Sequence, residues 1–161
     1  MDNKDEKRWF AVYTKSRHEK KANEKLMEID IETFLPLKEE TKKWSDRVKV
    51  VKEPLLRSYI FVHIIPKNAL YVLQTFGVVS IVKFNKNIAP IPDYQIAALK
   101  KALESDYKLK PAAYYNEGQL VEVTAGALKG HIGRIREIKN ETNFTLNLDA
   151  ICASFQVTVK P

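Results

Sequence analysis

The sequence predicts an α+β chain in two parts: a basic N-terminal domain of helices and strands, then a small β-barrel of about five short strands. Helical and strand periods alternate as far as residue 105, whereas only the two-residue period of strands follows Gly118. The charge divides in the same way, because residues 1–116 hold 22 basic and 15 acidic side chains and residues 117–161 hold five of each. The net charge of +7 therefore belongs to the first part, where it either faces a polyanion or only aids solubility.

These patterns place two domains at residues 1–105 and 118–161, joined by a linker at residues 106–117. The linker segment, DYKLKPAAYYNE, contains a proline and shows no sustained period.

The N-terminal domain opens with a strand and a helix. Residues 8–14 (RWFAVYT) are aromatic and β-branched, which is typical of a strand. Ser16 and Glu19 then have the spacing of a capping box, so a helix is predicted to begin at Ser16 and to end near Asp30. Its buried stripe is predicted to consist of Ala22, Leu26 and Ile29. Residues 31–37 (IETFLPL) predict a second strand.

A charged hairpin and the rest of the sheet follow. Residues 38–53 surround a single Trp44 with charges and are predicted to form a projecting hairpin that turns near Ser45 and Asp46. Residues 59–65 (YIFVHII) predict a central strand that is covered on both faces. We then expect a short helix at residues 68–75, a strand at residues 78–84, and a third helix that buries Ile96, Leu99 and Leu103.

The C-terminal part alternates like short strands. Apolar residues recur at every second position in two runs: Phe144, Leu146 and Leu148, then Phe155, Val157 and Val159. So short a segment can hide its strand edges by closing into a small barrel. The single cysteine, Cys152, is read as part of the barrel packing, since it has no partner for a disulfide.

Several classes of function find no support in the sequence. No apolar run is long enough to span a bilayer, and the first ten residues lack the apolar stretch of a secretory signal, so a cytoplasmic location is expected. The three histidines, His18, His63 and His131, show neither a ligand spacing nor a paired nucleophile. We therefore expect no enzyme activity, no metal and no cofactor.

A glycine-rich segment carries the sharpest motif. It reads Val121-x-Val123-x-x-Gly126-x-Leu128-x-Gly130-x-x-Gly133-x-Ile135, with glycines that permit tight turns between strands. Neither a P-loop nor a dinucleotide fingerprint is present. The segment resembles the KOW motif, which is found in SH3-like barrels of transcription elongation factors and of some ribosomal proteins.

The N-terminal domain resembles the NGN domain of the NusG family. The landmarks that match are Trp9-Phe10-Ala11-Val12-Tyr13-Thr14, Phe34-Leu35-Pro36-Leu37, Pro54-Leu55-Leu56-Arg57-Ser58-Tyr59-Ile60-Phe61-Val62 and Thr75-Phe76-Gly77-Val78-Val79. NGN followed by KOW is the domain order of that family, and the resemblance covers residues 8–160. It implies an α+β chain: an NGN-type α/β sandwich, which has an antiparallel sheet with flanking helices and a charged β-hairpin, followed by a small SH3-like five-stranded KOW barrel.

Within the family, the charged hairpin and Trp44-Ser45-Asp46-Arg47 look like operon-specific paralogues of the RfaH and UpxY kinds. UpxY-type proteins are antiterminators for capsular polysaccharide operons. The chain departs from the family pattern at Leu56-Arg57-Ser58-Tyr59, where Phe-Pro usually precedes a small residue and the tyrosine. It also lacks the His-Thr-Thr-Thr run of RfaH in the helix at residues 68–75.

The resemblance implies a contact between the NGN domain and the clamp helices of the large RNA polymerase subunit. By position, the polymerase-binding candidates are Tyr13, Leu55, Leu56, Tyr59 and Phe61. The alternative is that they are ordinary core residues, which we favour for Phe61 within the central strand. For Leu56, at the entrance of that strand, we favour the interface.

A second candidate surface is basic. Arg17, Lys21 and Lys25 recur along one helix face, which is mildly unfavourable without a partner. The proposed surface for upstream or non-template DNA consists of Lys15, Arg17, Lys20, Lys21, Lys25, Lys42, Lys43, Trp44, Arg47, Lys49, Gln74 and Thr75. Trp44 could stack on an unpaired base, and Gln74-Thr75 takes the place of an Asn-Thr pair that touches the non-template strand in some relatives. Solvated charge is the alternative for each single lysine.

The KOW barrel of relatives recruits ribosomal protein S10 or the termination factor Rho. Leu128, Lys129 and His131 are the candidates for that contact, although Leu128 could instead plug the barrel. The resemblance thus implies a transcription elongation and antitermination factor, operon-specific and of the capsular polysaccharide type, which we expect to be a monomer. The main rival is a ribosome- or RNA-binding KOW protein, which the neutral barrel disfavours.

Overall fold

An antiparallel sheet forms the centre of the N-terminal domain. The computed structural model describes residues 5–104, 108–112, 120–122, 130, 132–134, 143–148, 151 and 153–158. The sheet contains β1 (Arg8–Thr14), β2 (Glu32–Phe34), β5 (Tyr59–Ile64), β6 (Val78–Ile81) and β9 (Pro90–Ile91). Its order is β2-β5-β1-β6, and β9 also pairs with β1.

The two central strands, β1 and β5, are buried on both faces. Their side chains alternate between two clusters, as the period of a strand requires. One cluster, here the α1-side core, joins Phe10, Val12, Ile60 and Val62 to Ala22 and Leu26 of α1 (Glu19–Glu28) and Val72 of α2 (Ala69–Leu73). The other, here the α3-side core, joins Trp9, Ala11 and Phe61 to Ile96 and Leu99 of α3 (Asp93–Glu104). The predicted sheet with flanking helices is confirmed.

The charged hairpin is also confirmed. It consists of β3 (Leu37–Lys43) and β4 (Val48–Pro54), which pair in register from Leu37 opposite Pro54 to Lys43 opposite Val48. The turn closes with a 2.7 Å hydrogen bond from the Trp44 amide to the Arg47 carbonyl. From Thr41 to Val50 every side chain is exposed, so the tip of the hairpin projects from the domain.

The first helix differs from the prediction at both ends. It begins at Glu19 and not at Ser16, because Arg17 has a left-handed backbone (φ +61°) that a helix cannot contain. The residue before the helix is His18, whose side chain makes no capping hydrogen bond, so the predicted capping box is wrong. The helix ends at Glu28, which leaves Ile29 exposed and not on the buried stripe.

Other strands are shorter than predicted. The strand expected at residues 31–37 breaks after β2, since the chain passes through Leu35 and Pro36 before β3 begins. The strand expected at residues 78–84 divides into β6 and β7 (Lys83–Phe84), and β7 pairs with the unpredicted β8 (Asn87–Ile88). The helix predicted at residues 68–75 is a 3-10 turn at Pro66–Asn68 followed by α2.

Five short strands are described after α3. They are β10 (Lys108–Ala112), β11 (Leu120–Glu122), β12 (Ile132–Arg134), β13 (Asn143–Leu148) and β14 (Ala153–Thr158). One sheet has the order β10-β14-β13, and β11 pairs with β12. The segment predicted as a linker therefore contains a strand, β10, that pairs with β14. Closure of these strands into a barrel stays a prediction, and Cys152 lies outside the described residues.

Candidate polymerase and nucleic-acid interfaces

The five polymerase-binding candidates divide into buried and accessible residues. Leu55 and Phe61 belong to the α3-side core, with 6% and 0% of their surface exposed. Leu56 and Tyr59 are half-buried against that core, and Tyr13 is 42% exposed. The accessible surface is therefore that of Tyr13, Leu56 and Tyr59, here called the tyrosine face.

The tyrosine face lies where β1 ends and β5 begins. Tyr13 and Tyr59 are direct partners in the strand register, and their rings meet edge to face with centroids 5.6 Å apart. Leu56 belongs to the turn between β4 and β5, just before Tyr59. Beside the tyrosine face, on the same side of the sheet, Phe61 stacks on Phe34 with ring centroids 6.1 Å apart, so the face adjoins the packed α3-side core.

Two loops beside this face are held together through Ser58. The Ser58 amide donates a 2.8 Å hydrogen bond to Oε1 of Glu19, and the Ser58 carbonyl accepts a 2.8 Å bond from the Thr14 amide. Glu19 is buried, so its carboxylate serves as a fixed acceptor. Glu19, which was predicted to belong to a capping box, instead joins the first turn of α1 to the β4–β5 turn.

The basic residues of α1 and its preceding loop differ in how much of their charge is neutralised. Lys15, Arg17 and Lys21 are exposed and form no ion pair among the described residues. Lys25 pairs with Glu28 at 2.8 Å, and this hydrogen bond and charge raise the pKa of Lys25. Lys20 donates a 2.6 Å bond to the carbonyl of Lys52 and so ties the helix to the hairpin.

The hairpin carries both paired and unpaired cations. Lys42 pairs with Glu53 at 2.9 Å, and the hydrogen bond from Lys42 lowers the pKa of Glu53. Lys43, Arg47 and Lys49 are exposed without an ion pair in the described part of the chain, and Trp44 at the turn is 59% exposed. The hairpin thus offers three cations and an aromatic ring near its tip.

An exposed phenylalanine that the prediction did not assign lies beside the basic helix. The ring of Phe76 is approached by the Lys15 and Lys21 ammonium groups, at 6.0 and 5.6 Å from its centroid, and by the His18 ring at 5.7 Å. Next to it, Gln74 is exposed, and the Thr75 hydroxyl donates a 2.9 Å bond to the Tyr71 carbonyl. The sequence signal was the aromatic residue before Gly77, which served only as a family landmark.

The remaining candidates lie outside the described residues. Leu128, Lys129 and His131, predicted to contact a partner of the KOW domain, are among them. Between them, Gly130 is described and has a positive φ of +87°, as a tight turn requires. No group of residues in the described ranges has the composition of a metal site. Among the described helices, none has the length and hydrophobicity that a bilayer crossing requires.

Comparisons with known proteins bear on the family and the fold of the chain. A family model described as transcription termination factor NusG matches residues 7–100, which is more than half of the chain. A solved structure described as domain interaction in Thermotoga maritima NusG has a TM-score of 0.51 and 19% identity, over 96% of this chain and 94% of that one. No curated protein matches.

Two structures of an MjSpt4:Spt5 complex, in conformations A and B, are also similar. Their TM-scores are 0.31 and 0.30 at 18% and 19% identity, over 94% of this chain and 93% and 97% of theirs. At such identities a structural likeness speaks for the fold alone. The family model covers nearly all of the N-terminal domain, and it shows that the chain belongs to the NusG family.

Proposed function

We propose that this chain is a transcription elongation and antitermination factor that binds RNA polymerase with its tyrosine face. The observation that carries the proposal is that Tyr13, Leu56 and Tyr59 leave apolar surface accessible on a rigid sheet. Aromatic side chains dominate binding energy at protein interfaces because they bury a large area with few rotatable bonds. The expected partner is the clamp helices of the large polymerase subunit, as the family resemblance implies.

A DNA-facing role for the basic surface complements this contact. The exposed cations Lys15, Arg17 and Lys21 lie on or before α1, and Lys43, Arg47 and Lys49 lie near the tip of the hairpin. Such cations bind phosphates and release counterions, whatever the base sequence. Trp44 adds a ring on which an unpaired base could stack, for about 1 to 3 kcal/mol.

Operon specificity and a KOW partner belong to the same proposal. The Trp44-Ser45-Asp46-Arg47 sequence of the hairpin turn supports a specialised, capsular polysaccharide type of antiterminator, by its likeness to UpxY proteins. Ribosomal protein S10 or Rho is the proposed partner of the KOW domain, through Leu128, Lys129 and His131. A purely ribosomal role is less well supported, because ribosomal KOW proteins lack the domain that the family model matches.

Pulldown of core RNA polymerase tests the tyrosine face. We expect Leu56→Asp with Tyr59→Ala to reduce recovered polymerase about tenfold or more, since loss of two interface anchors costs on the order of 2 to 4 kcal/mol. Leu70→Asp with Tyr71→Ala is the matched control, because both residues are exposed on α2, across the sheet from α3. Equal recovery by wild type and the tyrosine-face variant, with both folded by circular dichroism, would reject the proposed interface.

A further inference from the structure

We infer that a cleft between the β1–α1 loop, the hairpin and the β4–β5 turn binds a phosphate group through Arg17 and Arg57. The cleft has a volume of about 970 Å³. Eight of its eleven lining residues are charged, five of them basic and three acidic. Its chemistry therefore suits a polar anion and not an apolar ligand.

The acidic residues of the cleft already have partners. Glu19 accepts the Ser58 amide at 2.8 Å, Glu40 pairs with Lys38 at 2.5 Å, and Glu53 pairs with Lys42 at 2.9 Å. Lys20 donates to a backbone carbonyl. Lys38 and Lys42 balance the charges of Glu40 and Glu53. Glu19 keeps its negative charge because its partner is a neutral amide, and Lys20 keeps its positive charge. The lining therefore has a net charge of +2, which equals the charge of the two arginines.

Neither Arg17 nor Arg57 forms an ion pair with another described residue. Both are exposed and both line the cleft. The charge of Arg57 reaches Glu53 only as a minor contribution to its lowered pKa, after the hydrogen bond and charge of Lys42 and the charge of Lys20. Two guanidinium groups thus face one cavity without a counterion from the described part of the chain.

Unusual backbone conformations occur at Arg17 and beside Arg57. Arg17 has a φ of +61° and Ser58, next to Arg57, has a φ of +65°, a region that non-glycine residues rarely occupy. The bonds from Ser58 to Glu19 and Thr14 hold these two segments side by side. Strained backbone of this kind persists where the surrounding structure enforces it, and it is enriched at ligand sites.

Paired guanidinium groups are well suited to phosphate. Each presents a planar fork of N–H donors that matches two oxygens, and two forks balance the charge of a phosphate group better than one. Arg57 stands where relatives usually carry proline, so the site distinguishes this chain from the family pattern. The phosphate could come from a nucleic-acid backbone, in which case the site rests on the proposed function, or from a free polyphosphate, in which case it does not.

Calorimetric titration with sodium tripolyphosphate, and anisotropy with a labelled single-stranded oligodeoxynucleotide, test the site. The cleft variant combines Arg17→Gly with Arg57→Ala, and glycine accepts the left-handed backbone at position 17 without strain. The control variant combines Lys86→Gly with Lys83→Ala. It removes the same charge outside the cleft, and Lys86 has a comparable φ of +70°.

We expect the cleft variant to bind at least one probe roughly tenfold more weakly, since each lost guanidinium removes charge-assisted hydrogen bonds. The control should bind as the wild type does. Loss of tripolyphosphate binding alone supports a free polyphosphate, whereas loss of oligonucleotide binding supports a backbone phosphate. The site is refuted if the wild type binds neither probe, or if cleft and control variants bind alike. The tyrosine-face variant changes neither arginine. Its polymerase pulldown therefore tests the proposed function independently of the phosphate site.

Discussion

Gly77 shows how a single residue links the sheet to α1. It has a φ of +87°, and a Cβ atom there would lie 3.3 Å from the Cβ atoms of both Ala22 and His18. We expect Gly77→Ala to lower the free energy of unfolding by about 2 to 4 kcal/mol, because the left-handed backbone costs about 1 to 2 kcal/mol and crowding adds to it. Urea denaturation followed by circular dichroism measures this change.

Gly130 is the matched control for that prediction. It has the same φ of +87°, but a Cβ atom there would meet no atom of the described residues within 4 Å. Gly130→Ala should therefore cost only the backbone strain, about 1 to 2 kcal/mol. If the two variants lost the same stability, crowding against α1 would not be the reason that position 77 needs glycine.

Glu19 marks the limit of sequence reasoning at the residue scale. The spacing of Ser16 and Glu19 predicted a capping box, and the residue types were right for one. The carboxylate instead accepts the amide of Ser58, 39 residues away. A local motif cannot show that the Ser58 amide, far away in the sequence, competes for the same carboxylate. The cleft between Arg17 and Arg57 depends on this hydrogen bond.

Among the elements, the longer ones were predicted and the shortest were missed. The hairpin of β3 and β4 was predicted from a long charged run around Trp44, and the helix α3 was predicted from a helical stripe. β8 and β9 have two residues each, and no period exists over two residues. They form because β7 and β1 offer backbone partners, which the sequence alone does not display.

The short edge strand β2 is secured by a cross-strand pair. Glu32 stands opposite His63 of β5, with Oε2 to Nδ1 at 2.7 Å, and the His63 ring stacks on Trp9 at 4.8 Å. The hydrogen bond from His63 lowers the pKa of Glu32, with smaller contributions from the charges of His63, Lys100 and Lys7. Because the folded pKa is depressed, this stabilisation is present above the unfolded pKa and is lost as the pH falls through the folded one.

Glu32→Gln should accordingly flatten the acid limb of the stability curve. We expect wild type to lose stability more steeply than the variant between neutral and acidic pH, by at most about 1 kcal/mol because Glu32 is exposed. Urea titrations at a series of pH values measure the difference. Glu24→Gln, on the exposed side of α1, is the control. If this control flattened the dependence of stability on pH as much as Glu32→Gln does, the pair of Glu32 and His63 would not be the cause.

At the scale of the whole molecule, the sequence predicted the sheet and its two covered faces, and it favoured a core position for Phe61 and an accessible one for Leu56. It did not predict how far Leu55 and the two tyrosines are buried. Tyr13, Tyr59 and Phe61 share the face of the sheet on which α3 packs, as their strand positions require. Phe61 lies within the α3-side core, whereas the two tyrosines lie at the strand ends and keep accessible surface. The place of Phe61 within the central strand indicated its burial, but how much of each tyrosine stays accessible depends on where α3 packs, which no local pattern specifies.

The distribution of charge over the molecule gives the last prediction. The chain has a net charge of +7. We propose that the cations near the hairpin tip, and not the net charge of the whole chain, govern binding to nucleic acid in the elongation complex. Lys43→Ala, Arg47→Ala and Lys49→Ala together should reduce the slope of log affinity against log salt by about 2 to 3, since each lost phosphate contact contributes about 0.9. Lys42 is left in place because it pairs with Glu53.

The control variant, Lys83→Ala, Lys86→Ala and Lys101→Ala, lowers the net charge equally, from +7 to +4. These lysines are exposed and lie outside the hairpin and the cleft. If the net charge of the whole chain attracts the nucleic acid, both triple variants must reduce the slope of log affinity against log salt equally. If contacts near the hairpin tip attract it, only the hairpin variant changes, because exposed charges more than a Debye length away, about 8 to 10 Å, are largely screened.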